Sequence, residues 1–286
     1  MSEARKVQHP GPVMAERFAA VPCKAAHRRV TLTAGSTLLQ AMTDAAGRAG
    51  AWFDLTDLPV ETLTFVHPAP ASDDTHVAWY SAATVLNDAT ILQAGAHLGR
   101  RDGAAFAHVH GLWAANDGTR HAGHLLPEAT VLSADCEVDA WMLEGAVMES
   151  APDAETGFTL FRPIATGPVD RPNAVLATIR PNEILEEGLA NCASLVDLPV
   201  QAVKGLGSLI GTRLVAQAGL DDIATEVLLT GESGEDVVAV GFDGRAVAGN
   251  LTPSSNRVCV TFEALMISQR GAVRVNEKTA KNFGAV

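Results

Sequence analysis

Two kinds of periodicity alternate along the chain. Arg29 to Thr33, Ala104 to Trp113, Val131 to Val138, Ala174 to Ile179 and Val258 to Leu265 are β-prone runs that predict strands. After the first and the fourth of these runs lie segments with helical spacing. Leu38, Met42 and Ala45 follow a possible cap at Ser36, with Gly47 and Gly50 near the end; Ile184, Leu185, Gly188, Leu189 and Cys192 follow a possible cap at Asn182. Strand, helix, then several strands joined by Gly, Asp and Asn turns is the order of an α+β fold, in which a main helix packs on a mostly antiparallel sheet.

That order occurs twice. Asp57-Leu58-Pro59-Val60 recurs as Asp197-Leu198-Pro199-Val200, each after a helix-patterned segment. Further on, Asp117-Gly118 and Ala122-Gly123-His124-Leu125 meet Asp243-Gly244 and Ala248-Gly249-Asn250-Leu251 at an offset of 126, which also carries Glu137 onto Glu263. The expected organisation is a first unit over 1–150, a linker over 151–172 and a second unit over 173–286. Pro152, Gly157, Pro163, Gly167, Pro168 and Pro172 punctuate that linker, which is expected to lie on the surface with room for one short strand.

Composition narrows the picture. A chain of 286 residues with 47% hydrophobic content can bury more than one core. No segment reads as a leader and none is apolar over the ~18 residues of a membrane span, so a soluble, cytoplasmic protein is expected. Cys23, Cys136, Cys192 and Cys259 form no Cys-x-x-Cys pair, which argues against a thiolate zinc cage. The net charge of −12 opposes a phosphate backbone, and the short basic groups His27-Arg28-Arg29 and Arg100-Arg101 read first as solvated strand or loop ends. No Lys-bearing glycine loop opens a helix, so a nucleotide cradle is not signalled; Gly205-Leu206-Gly207-Ser208 is too short for one.

The candidate chemistry lies in the first unit. His108 and His110 are two apart on a strand and share a face. Asn116-Asp117-Gly118 is a turn signal, and a three-residue loop centred on Asp117 pairs residues whose numbers sum to 234, which sets His110 opposite His124. Three imidazoles on one patch, with a fourth position open, form the donor set of catalytic zinc. A two-residue loop would turn His124 to the other face. At the 126 offset the second unit has Gly234, Asp236 and Asn250 instead, so it is expected to be metal-free. His97 and His121 are assigned surface or supporting positions.

His108-Val109-His110, Asp117-Gly118, Ala122-Gly123-His124-Leu125 and Glu137 resemble the pattern of the plants-and-prokaryotes-conserved (PPC) domain, over most of 26–150 and, more weakly, 173–269. Ala122 departs from a glycine of that pattern, and the second unit departs at every histidine. The resemblance implies tandem PPC-like domains of the prokaryotic type, assembled as a homotrimer with pockets between subunits and, in some members, zinc on these histidines. Plant members add AT-hooks that grip DNA. This chain has no Arg-Gly-Arg-Pro core, so duplex DNA is not the expected partner.

The leading functional expectation is a zinc-like metal enzyme, a hydrolase or lyase acting on a small carboxylated metabolite. His108, His110 and His124 would hold the metal, Glu137 or His121 would move protons, and Arg100 and Arg101 would pair with the substrate carboxylate, Arg101 close to the reacting group. The alternatives are a DNA-associated regulator and a small-molecule binder without turnover.

Overall fold

The computed structural model describes residues 5–47 and 49–268. The first half runs β1 (Phe18–Leu32), α1 (Leu38–Ala46), β2 (Gly50–Val66), a small pair β3 (Pro68–Ala69) and β4 (Trp79–Tyr80), β5 (Thr84–Arg101), β6 (Ala104–Ala114), β7 (Arg120–Leu125), β8 (Val131–Leu132) and β9 (Cys136–Glu144). A connecting hairpin follows, β10 (Ala146–Pro152) and β11 (Thr159–Ala165). The second half is β12 (Ala174–Ile179), α2 (Leu185–Leu195), β13 (Ala202–Leu209), β14 (Thr225–Leu229), β15 (Asp236–Val240), β16 (Ala246–Asn250) and β17 (Val258–Ile267). The architecture is mixed and dominated by sheet, with two α-helices among the described residues.

Pairing in the first half runs β1–β9–β2–β5–β6–β7, and in the second β12–β17–β13–β14–β15–β16, with a helix after the first strand in each. All these pairs are antiparallel; β10 against β5 is parallel. β2 pairs β5 along its length and β7 at its end, so β2, β5, β6 and β7 close on themselves. β1 is longer than the expected Arg29–Thr33 because it serves both halves. Phe18 to Cys23 pair with β12 and Lys24 to Leu32 with β9. Pro22, which has no N–H to donate, stands next to the point where the strand changes partner.

Leu38, Ala41 and Met42 turn α1 into a first core with Phe53, Leu63 and Trp113; Leu185, Leu189 and Cys192 turn α2 into a second with Phe262 and Leu209. A third cluster, including Trp52, Met148, Phe161, Leu206, Leu228 and Leu265, lies between the halves and is drawn from both. At ~25 cal/mol per Å² of apolar surface removed from water, this shared cluster opposes separation of the halves.

Several local expectations are corrected. Thr37, not Ser36, caps α1, its Oγ1 accepting from Gln40 N at 3.2 Å. α2 begins after Ile184 without a side-chain cap; Asn182 instead exchanges two hydrogen bonds with the Val7 backbone. The two Asp-Leu-Pro-Val copies are not equivalent: the first lies inside β2, the second in the loop after α2. In both the Asp has positive φ, 55° at Asp57 and 51° at Asp197, so the shared tetrapeptide marks a local kink. The connection between halves is a two-stranded hairpin whose Phe161 is buried. Residues 269–286 of the expected second unit lie outside the described residues.

Candidate metal centre

The hairpin of β6 and β7 places the three histidines. The observed register pairs Gly111 with Gly123 and His110 with His124, the three-residue-loop alternative. Gly118 supplies the left-handed residue of the turn at φ 83°. Gly123 sits against β2, where a Cβ would come within 2.2 Å of the Val66 carbonyl oxygen. That close approach explains a glycine before His124.

One nitrogen from each of His108, His110 and His124 lies within 4.8 Å of the others. Their surroundings fix the ring states. The Val227 carbonyl accepts from His110 Nδ1 at 3.0 Å, so the His110 Nε2 lone pair points into the cluster. Glu263 accepts from His108 Nδ1 at 2.9 Å and leaves His108 Nε2 facing His110 Nε2 at 3.0 Å. Two lone pairs at that distance repel unless a cation lies between them, either a proton on His108 or a metal ion. In a tetrahedral zinc site, bonds of 2.0–2.1 Å set ligand nitrogens about 3.3 Å apart. The donor set and its outer support therefore fit a divalent ion of zinc type.

The electrostatics follow from burial. Burial disfavours the charged form of His108, but the Glu263 carboxylate, with a smaller contribution from Glu226, outweighs it and raises the pKa above the usual value. Burial, then the charges of His108 and His124, hold His110 well below it; burial and His108 do the same to His124. Glu226, on β14, is pushed up to about 8 by burial. The ring of Tyr80 is nearly half exposed, but its hydroxyl end is enclosed at 3.3 Å from His124 Nδ1 and beside Glu226; burial and that carboxylate raise its pKa.

The cluster opens into a cavity of about 240 Å³ between the halves. Phe106, Phe158 and Phe161 line it with Tyr80 and Arg101, whose guanidinium stands 4.4 Å over the Phe106 ring. Phe106, His108 and His110 alternate along one face of β6, so the cation and the histidines lie along one wall.

Of the expected site residues, the structure brings together His108, His110, His124 and Arg101. Arg100 is instead paired with Glu149 at 2.7 Å. Glu137 is exposed on β9 and paired with Arg29 at 3.3 Å, away from the histidines; Glu263, its counterpart at the 126 offset, touches His108. His121 lies on the other face of β7 from His124, packed on Phe65 at 5.5 Å between ring centres. His97 is no surface residue. It is buried beside Trp52, at 4.6 Å between ring centres, and burial pushes its pKa down to about 3. Glu226, Tyr80 and the aromatic wall were missed; the 126 offset from Glu137 was the one available signal for Glu263.

No protein-family model and no curated protein matches the chain. Among solved structures it is similar to a metal-containing protein from Archaeoglobus fulgidus, at 22% identity and TM-score 0.37 over 48% of this chain and 92% of that one. A plant- and prokaryote-conserved (PPC) protein from Pyrococcus horikoshii is similar at 17% identity and TM-score 0.36, over 52% and 97%. A protein from Ralstonia eutropha JMP134, provisionally named as DNA-binding, matches at 12% and 0.37, over 47% and 89%. None of the three is named as an enzyme, and likenesses this distant carry no conclusion about activity.

Proposed function

We propose that the chain is a tandem pair of PPC-like units that binds a small carboxylated metabolite at a zinc-like ion held by His108, His110 and His124. The observation that carries this reading is the 3.0 Å approach of two imidazole Nε2 atoms whose Nδ1 atoms are both committed, one to a carbonyl and one to a carboxylate. The second half, with Gly234, Asp236 and Asn250 at the corresponding positions, serves as the opposite wall. The pocket that the resembled family closes between subunits is here closed within one chain.

Each surrounding group has a part in holding a ligand. Arg101 faces the carboxylate with a guanidinium fork, already desolvated on one side by Phe106. Phe158 and Phe161 exclude water and strengthen that pairing. Glu263 holds the His108 ring, and the Val227 carbonyl the His110 ring. A bound divalent ion would polarise a carbonyl or water of the ligand, the chemistry of a hydrolase or lyase. Binding is the reading best supported, and turnover is its extension. The regulatory alternative requires a phosphate-binding face, and a net charge of −12 gives no general drive toward a phosphate backbone.

The test is thermal unfolding with and without zinc. At a zinc concentration 100 times Kd, the wild-type protein should gain about 2.7 kcal/mol of stability. His124→Ala should gain almost none. Equal shifts in both proteins would remove the basis of the reading.

A further inference from the structure

We infer that Glu226, delivered by β14 of the second half, is a fourth ligand of the ion held by His108, His110 and His124, so that both halves share the metal site. The inference rests on the metal-binding reading above and adds to it a donor that lies outside the three-histidine set.

Position is the first support. Glu226 Oε1 lies 3.7 Å from His110 Nε2, the nitrogen that faces His108, and not from the Nδ1 bonded to Val227. Zinc bonds of 2.0–2.1 Å to nitrogen and 2.0–2.2 Å to oxygen place such a pair about 3.4 Å apart in a tetrahedron. Glu263, the other carboxylate at the site, touches Nδ1 of His108 and so stands behind that ring, where it can orient a ligand but not be one.

The second support is a shortage of counter-charge: the Tyr80 hydroxyl hydrogen-bonds this carboxyl, but no Lys or Arg among the described residues pairs with it. The Glu226 side chain is 7% exposed, and its Oε2 has no hydrogen-bond partner among the described residues. His110 is the one basic side chain within ion-pair distance of it among those residues. A buried carboxylate left this way is costly, and such groups are found paired or on metals. Charge balance agrees: two buried carboxylates and three neutral imidazoles are neutralised by one divalent cation. Glu226 corresponds to Arg100 at the 126 offset, so it belongs to the second half alone. Three imidazoles and one carboxylate suit Zn(II), Co(II) and Fe(II) better than soft ions such as Cu(I).

The experiment titrates the full chain with Co(II), whose absorption bands report its ligands, in wild type, Glu226→Gln, Glu226→Ala and His124→Ala. Both Glu226 variants are expected to bind Co(II) at least about tenfold more weakly, with shifted bands, and formate should restore the wild-type bands in Glu226→Ala. With the metal chelated away, Glu226→Gln should melt close to wild type, because the near-isosteric amide keeps the packing, whereas a carboxylate held for structure alone would leave it less stable. Unchanged affinity and bands in Glu226→Gln, with binding lost in His124→Ala, would overturn the role of Glu226 and leave the three-histidine site standing. A wild-type protein that takes up no Co(II) would overturn both. Should Glu226→Ala fail to fold, the near-isosteric Glu226→Gln decides alone.

Discussion

At the scale of single residues, His97 shows how burial alone sets a property. Its ring is 1% exposed against Trp52, and its pKa falls to about 3 chiefly through desolvation. In the unfolded chain the same ring titrates near 6.5. Between those values the unfolded state binds the extra proton, so stability is complete above about 6.5 and falls with decreasing pH toward about 3, by up to about 1.4 kcal/mol per unit. His9, whose pKa burial also lowers, acts in the same direction. Chemical denaturation from pH 7.5 to 4.5 should show this decline, and His97→Leu should flatten it measurably. An acid limb of the same slope in the variant would mean that His97 is not the group responsible. The three cluster histidines were legible because strand period and a turn motif are local. Glu263 was not, since it reaches His108 from 155 residues away in sequence.

At the scale of elements, the hairpin of β6 and β7 decides whether a site exists at all, since a slip of one residue would turn His124 away. The Asn-Asp-Gly turn made that register readable. The helix starts were less so, because Ser36 and Thr37 are both competent caps and Asn182 found a tertiary partner in Val7. The Asp-Leu-Pro-Val repeat misled because a kink motif serves equally inside a strand and in a loop. Gly123→Ala tests the hairpin's fit on β2. Its Cβ would fall 2.2 Å from the Val66 oxygen, so the strand must shift. A loss of about 1–3 kcal/mol in urea unfolding, typical of overpacking, should accompany weaker zinc binding. Wild-type stability and zinc affinity would show that the approach is not needed to seat His124.

At the scale of the whole molecule, the matching strand orders of the two halves and the cluster between them explain how one chain encloses its own pocket. The local run of strands and helices was visible as periodicity. The face that the second half presents to the first was not, because Leu206, Leu228 and Leu265 look like ordinary core residues until their partners Trp52 and Phe161 are known. The connecting segment was read as a surface linker from its prolines, yet its Phe158 and Phe161 became pocket wall. The three-histidine cluster calls for a single divalent ion per chain, held by His108, His110 and His124. Elemental analysis of protein purified without chelators measures it directly. The wild type should carry about one zinc-like ion per chain and His124→Ala none. No metal in the wild type, or two ions per chain, would contradict it.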